Sequence, residues 1–365
     1  MRAGIMTRME APSNQNRPIS VGIIGAGYGL TSLLPVLELL PDYKVICVAT
    51  KHGITENSSI QASPSNKVLF TTPKDLIRNS ELELVLIASP PSTHEEYAIA
   101  ALAAGKNIYC EKPVGLNVAS TMRILQASKQ SRKICTVGYQ FRFDPMIMWL
   151  KQQILSDELG EVIRVEVQWE TSGAARTPTV SWRNKLNLGG GVLRDFGSHV
   201  FDYLSFIDAI NNLPRHRERE KSHNFKSNIA SRDIQDVNFS GVFGGIEFNC
   251  IISRTRAEPI GHDIRIIGTK GEAHARHSSP FGLKELTLEV LKGDGIDECF
   301  TPDEIATPKV PGFTLNQLDS RQLASSQLFL NLAQAIRGTS NKSLPALEDA
   351  LFSQKLVDEA ESVIF

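Results

Sequence analysis

Over about the first 140 residues, short apolar runs alternate with helical patterns. That is the rhythm of a parallel sheet with crossover helices. Ile19–Ile24 reads as a buried strand and Leu30–Leu40 as an apolar helix that stops before Pro41-Asp42. Strands are expected at Lys44–Ala49, Val68–Phe70, Leu84–Ala88, Asn107–Cys110 and Lys133–Val137, with helices at Thr72–Asn79, Thr93–Ala104 and Val118–Gln130. Pro73 suits a first helical position, and Gly105 suits the residue just past a helix end. From about Gly138 the rhythm changes. A helix at Asp144–Leu155 and a long alternating strand at Val162–Thr171 precede Gly189-Gly190-Gly191 and another helix. Strand-like runs follow at Val237–Phe243, Gly245–Ser253, Asp263–Ile267 and Leu286–Leu291, and helices at Ser320–Ile336 and Ala346–Val363 close the chain. The pattern predicts an α/β chain in three parts. Residues 1–18 form a polar, disordered tail, 19–140 a Rossmann-type domain with a parallel sheet, and 141–365 an α+β domain with a mostly antiparallel sheet.

Composition narrows the function more than the fold. The 39 Lys+Arg nearly cancel the 40 Asp+Glu, leaving a net charge of −1 and no footprint for nucleic acid or an anionic membrane. No run approaches the roughly 18–20 apolar residues of a membrane span. The tail lacks the apolar core of a secretory signal, so the expected address is the cytoplasm. Five scattered cysteines without a C-x-x-C pair read as reduced thiols. The mixed-sign run Arg215–Lys221 reads as a solvated segment.

The first candidate site is Gly25-Ala26-Gly27-Tyr28-Gly29, which joins the first strand to the first helix. Gly25 permits a tight turn, Gly27 lets the backbone approach a pyrophosphate, and the helix N-terminus offers free N–H groups to that anion. The third glycine falls one position early, with Leu30 where Gly or Ala is usual. About 20 residues on, where an NAD enzyme carries an acid for the ribose, the chain reads Ala49-Thr50-Lys51-His52. Thr50 and Lys51 suit a 2′-phosphate, which leans the cofactor toward NADP, with NAD as the alternative. Ser89, Pro90 and His94, and then Glu111-Lys112-Pro113, follow the fourth and fifth strands, whose carboxyl ends should face the cofactor. Lys112 could present a cation to a substrate oxygen or belong to a surface pair. On a regular helix, Asp195, His199 and Asp202 fall within a roughly 60° sector. An Asp–His pair there could exchange protons, cap the helix, sit in the core, or supply two metal ligands. No third ligand is evident, so no metal is expected. His274 and His277 lie three apart on a strand, on opposite faces, and receive no role.

Taken together, these segments resemble the glucose–fructose oxidoreductase / inositol dehydrogenase / MocA family. Further matches are Tyr139-Gln140-Phe141-Arg142-Phe143-Asp144-Pro145, Trp182-Arg183, Ile267-Gly268-Thr269-Lys270-Gly271-Glu272 and Pro345–Ala350. The likeness runs from about Val21 to Val363. It implies an NAD(P)-dependent oxidoreductase of sugars, inositols or nucleotide-linked sugars, with Lys112, Asp195 and His199 as the catalytic set. It also implies that Arg142 and Trp182 line the cofactor or substrate cleft. A homodimer or homotetramer through the second sheet, and a final helix packed back on the first domain, are further expectations. The resemblance equally admits a redox-silent dinucleotide-binding regulator, although such a protein has no need of a proton-transfer set. His199 is expected to be the acid/base near neutral pH, Asp195 its orienter or a substrate partner, and Lys112 the polarising cation.

Overall fold

Strand β1 (Ile19–Ile24) is buried at all but one position, as befits a strand covered on both faces. In the computed structural model it joins β2 (Tyr43–Ala49), β3 (Leu69–Thr71), β4 (Leu84–Ile87), β5 (Asn107–Cys110) and β6 (Cys135–Val137) in an all-parallel sheet. The strand order is β3-β2-β1-β4-β5-β6. The order reverses between β1 and β4, so their carboxyl ends frame the crevice where such sheets bind ligands. The structure describes residues 17–50, 68–176, 181–208, 223–227, 234–278, 285–293, 295–300, 319–339 and 343–365. Most of the expected tail, Lys51 and the Arg215–Lys221 run lie outside them.

Helices α1 (Leu34–Glu38), α2 (Pro73–Arg78), α3 (His94–Ala103) and α4 (Val118–Ser131) connect these strands. Thr72 caps α2 by accepting from Asp75 N–H, and Asn117 caps α4 in a reciprocal box with Ser120. Helix α1 is shorter than the expected Leu30–Leu40, because the chain first makes a π-helical turn at Gly29–Leu33.

The second sheet contains β7 (Val162–Glu170), β8 (His223–Ser227), β9 (Asp236–Phe243), β10 (Ile246–Ser253), β11 (Gly261–Gly268), β12 (Glu272–His277), β13 (Leu286–Lys292) and β14 (Gly295–Phe300). Its order is β14-β13-β12-β11-β7-β10-β9-β8, and every pairing is antiparallel except β7 with β10. One face packs on α5 (Pro145–Leu155) and α6 (Ser198–Phe206) through Trp149, Leu150, Phe201 and Leu204. The other face carries ion pairs such as Arg164–Glu247 and Arg265–Glu272. On β12, His274 is half-buried between Asp263 and Glu289 and His277 is buried, so they do occupy opposite faces.

Two helices close the chain, and the last of them ties the two sheets together. Leu323, Leu328, Phe329 and Leu332 of α7 (Ser320–Ile336) pack with β1 and β2, and Tyr43 donates its hydroxyl to the Phe329 carbonyl. Burying each of these side chains contributes about 1.5–3 kcal/mol. Helix α8 (Leu347–Ile364) buries Leu347 and Ala350 in the core beside β4 and β5, and Leu356, Val357 and Ala360 in that of the second sheet. Both helices, not only the last, therefore hold the first sheet. No helix among the described residues is long and apolar enough to cross a membrane.

Candidate active site

A cavity of about 1280 Å³ opens at the crevice between β1 and β4 and extends to the second sheet. Gly25 closes its floor with φ +115°, and a Cβ there would lie 2.5 Å from the Ala88 carbonyl carbon and oxygen. Only glycine lets the ends of β1 and β4 approach this closely. Gly27 is the reverse case: a Cβ there would meet nothing within 4 Å, so its backbone is open to a ligand. Tyr28, Thr50, Ser89 and Pro90 also line the cavity. These groups fit a dinucleotide, whose pyrophosphate can lie against the Gly27 backbone. Gly29 does not line the cavity. It is buried, and a Cβ would sit 2.7 Å from Ile23 Cγ2, so it serves helix–sheet packing.

Two further residues expected at the ligand are structural instead. His94 is fully buried, with Nδ1 2.9 Å from the Pro113 carbonyl and Nε2 2.8 Å from the Ser89 carbonyl. It fastens the loop after β4 to the loop after β5. Arg142 is also buried and stays out of the cavity. Its Nε and Nη2 lie 2.9 and 2.6 Å from the two Asp202 carboxylate oxygens, and Nη2 is 3.1 Å from Asp349 of α8. Asp202 therefore belongs to this lock rather than to a face shared with Asp195 and His199.

Lys112 follows β5 and reaches across to the second sheet's side of the cavity. Its ammonium donates to the Asp195 carboxylate at 2.7 Å and to the Asp195 carbonyl at 2.6 Å. That leaves one of its three N–H bonds for a ligand. Asp195 lies in a π-helical turn, Leu193–Gly197, in which Ser198 N–H reaches back to the Leu193 carbonyl. Such turns are frequent at functional sites. Burial alone would raise the Asp195 carboxyl, but Lys112 and then Arg183 and Arg254 hold it well below the usual carboxylate range. Glu111, which accepts from the Tyr109 hydroxyl at 2.6 Å, is raised by burial against the pull of Lys112.

His199 lines the cavity one helical turn further on, where Phe141 meets its ring edge-on at 4.7 Å between centroids. Its Nδ1 is buried with no hydrogen-bond partner among the described residues. No hydrogen bond joins it to Asp195, so Asp195 orients Lys112 and not the imidazole. Burial first, and the Lys112 charge second, push the His199 pKa well below the ordinary imidazole range. The expected near-neutral titration is thus corrected to a neutral imidazole, because an aromatic box disfavours its charged form.

Trp182 does line the cavity, and Arg183, Arg254, Trp169, Thr171 and Arg321 line it as well. The sequence offered a motif for Trp182-Arg183 but no signal for the others. Arg254 follows the end of β10 and Arg321 opens α7, both brought to the cavity by topology. Among the described residues, no group of three His, Cys, Asp or Glu could hold a metal ion.

Two family models match the chain. One, described as "Oxidoreductase family, NAD-binding Rossmann fold", covers residues 19–139. The other, "GFO/IDH/MocA C-terminal domain", covers residues 147–274. An oxidoreductase of Formosa agariphila is 31% identical over 77% of this chain and 81% of its own. Glucose-6-phosphate 3-dehydrogenase of Bacillus subtilis is 22% identical over 78% and 81%, respectively. Two other curated oxidoreductases are matched over about half their own length, 51% and 50%. A 3-ketoreductase of Actinomadura kijaniata, solved with NADP and TDP-benzene, superposes with a TM-score of 0.73 at 18% identity, over 94% of this chain and 97% of that one.

Proposed function

Because this chain belongs to the GFO/IDH/MocA family of oxidoreductases, we propose that it moves a hydride between a nicotinamide and a hydroxyl or keto carbon of a carbohydrate-like substrate. The observation that carries this reading is the junction of Lys112 with Asp195. It puts a positioned ammonium from the loop after β5 and a carboxylate from the turn ahead of α6 in the same cavity as the glycine loop. When bound, the nicotinamide supplies or accepts the hydride. The protein supplies the rest. Gly25 and Gly27 receive the pyrophosphate, and Thr50 faces the adenosine ribose. The third N–H of Lys112 points to the reacting oxygen and stabilises negative charge as it develops there. Asp195 fixes that ammonium by two contacts. Neutral His199 offers Nε2 to the substrate hydroxyl and accepts its proton on oxidation.

The finer cofactor reading is NADP(H), supported by the lack of any acid in Ala49-Thr50-Lys51-His52. Lys51→Asp should move the preference toward NAD(H), and a tenfold preference of the wild type for NAD(H) would end this reading. We also propose that a second copy covers the outer face of the second sheet, where Ile163 and Val242 are exposed. Light scattering that gives a monomer at micromolar concentration would refute it. The activity itself is tested by dinucleotide-linked turnover over a panel of sugars, sugar phosphates and inositols. Turnover of a member supports the reading, and tight dinucleotide binding without any turnover favours a regulator.

A further inference from the structure

The Lys112–Asp195 pair is matched in charge, and two more cations face it. Arg183 Nε lies 3.5 Å and Arg254 Nη1 3.9 Å from Asp195 Oδ2. One carboxylate, already engaged by an ammonium at 2.7 Å, meets three positive groups. Among the described residues, four cationic side chains line the cavity, Lys112, Arg183, Arg254 and Arg321, against two carboxylates, Glu111 and Asp195, and this positive excess favours the entry of an anion.

Arg183 is the group free to meet it. Among the described residues its guanidinium makes that one ion pair and no hydrogen bond, and its side chain is 34% exposed, into the cavity. Its position is nevertheless built. The Arg183 carbonyl accepts from Gly191 N–H at 3.0 Å and from Gln235 Nε2 at 3.0 Å, and Ser181 caps the turn by accepting from Arg183 N–H. The glycine run makes this possible, since a Cβ on Gly190 would lie 2.4–2.6 Å from the Trp182 and Arg183 carbonyls. The guanidinium also rests over the Trp182 ring, 4.5 Å from its centroid. A shelved guanidinium with open N–H donors is the group that binds carboxylate or phosphate oxygens in pairs.

We propose that the substrate is anionic, a sugar acid or sugar phosphate whose negative group docks on Arg183, with Arg254 behind it, while its reacting carbon lies at Lys112. This rests on the reading of the cavity as an oxidoreductase site and adds the substrate class. Arg183 is then a specificity residue, and no bond to it forms or breaks.

The test titrates NADP⁺-saturated protein, by tryptophan fluorescence, with glucuronate, gluconate, galacturonate and glucose 6-phosphate, and with neutral glucose, galactose and myo-inositol. At least one anion should bind about tenfold or more tighter than every neutral probe, the effect of a charge-assisted hydrogen bond. The carboxylate and phosphate arms separate the two sources of charge. Arg183→Gln should erase that advantage while dinucleotide affinity stays within about twofold. Arg183→Lys, which keeps the charge but not the fork, should retain part of it. Equal binding of neutral and anionic probes, no binding by any anion, or an unchanged preference in Arg183→Gln would overturn the proposal. Each probe is also assayed for turnover. Turnover of neutral sugars without an anion preference leaves the oxidoreductase reading intact and removes this one. Arg183-dependent anion binding without turnover of any probe keeps the docking site and removes hydride transfer.

Discussion

Of the ion pairs that join elements of this molecule, two have opposite characters. Arg142–Asp202 is sealed, with side chains 6% and 2% exposed, and the guanidinium fork is filled by both Asp202 oxygens and by Asp349. Lys112–Asp195 is about as short, 2.7 Å, but its side chains are 12% and 13% exposed and line the cavity. The sealed pair presents no donor to the cavity, so its charge serves to hold helices in place. The open pair keeps one ammonium N–H unspent. Burial therefore separates a lock from a pair that still offers a donor, where residue type does not.

Four substitutions test that division, from the largest effect to the smallest. Asp195→Asn should leave a folded protein whose turnover falls by about 10²-fold or more, because Lys112 loses its charged anchor. A variant with near-wild-type turnover would show that the open pair is a lock as well. Asp202→Ala strands Arg142 in the interior and should lower unfolding free energy by about 3 kcal/mol, read from denaturant midpoints. Asp349 then keeps only a partial grip on the arginine. An unchanged midpoint would deny the sealed pair its role.

The third effect concerns pH. Burial holds His199 well below its ordinary value and His262 down to about 3. The folded protein keeps both neutral, whereas the unfolded chain protonates them near pH 6.5. Unfolding then takes up protons, so this part of the stability is complete above about pH 6.5 and is lost as pH falls toward the folded values. At one unit below, each histidine should cost about 1 kcal/mol, and His262→Gln should flatten the slope. Stability that is level from pH 7.5 to 5.5 would contradict these assignments. Last, Glu348→Ala removes the partner of Lys129 in a pair that is 64% and 59% exposed, and should change stability by no more than about 0.5 kcal/mol.

Local signals in the sequence were enough to read much of the fold. Helix α7 is found where its periodicity puts it, Ser320–Ile336, because Asp319 and Gln322 form a capping box just ahead of the apolar stripe. The glycine loop was legible because Gly25 and Gly27 do their work within a few residues. Edge strands β8 and β14 were not, since His223–Ser227 and Gly295–Phe300 lack a clear apolar alternation. The pairing of Asp195 with His199 failed for a different reason. Their spacing says which residues share a regular helix face, but the partner that captures Asp195 comes from 83 residues away. Arg254 and Arg321 have no motif at all. Tertiary topology alone brings them to the cavity.

The proposed division of labour in the cavity, with the glycine loop binding and Lys112 reacting, is tested most directly by stopped-flow fluorescence of the reduced dinucleotide on Lys112→Met, once a substrate is in hand. A single trace records both parts. The binding phase should keep its amplitude, with affinity within a few-fold of the wild type, while the hydride-transfer phase slows by about 10²–10⁴-fold. A transfer phase at the wild-type rate would contradict the account.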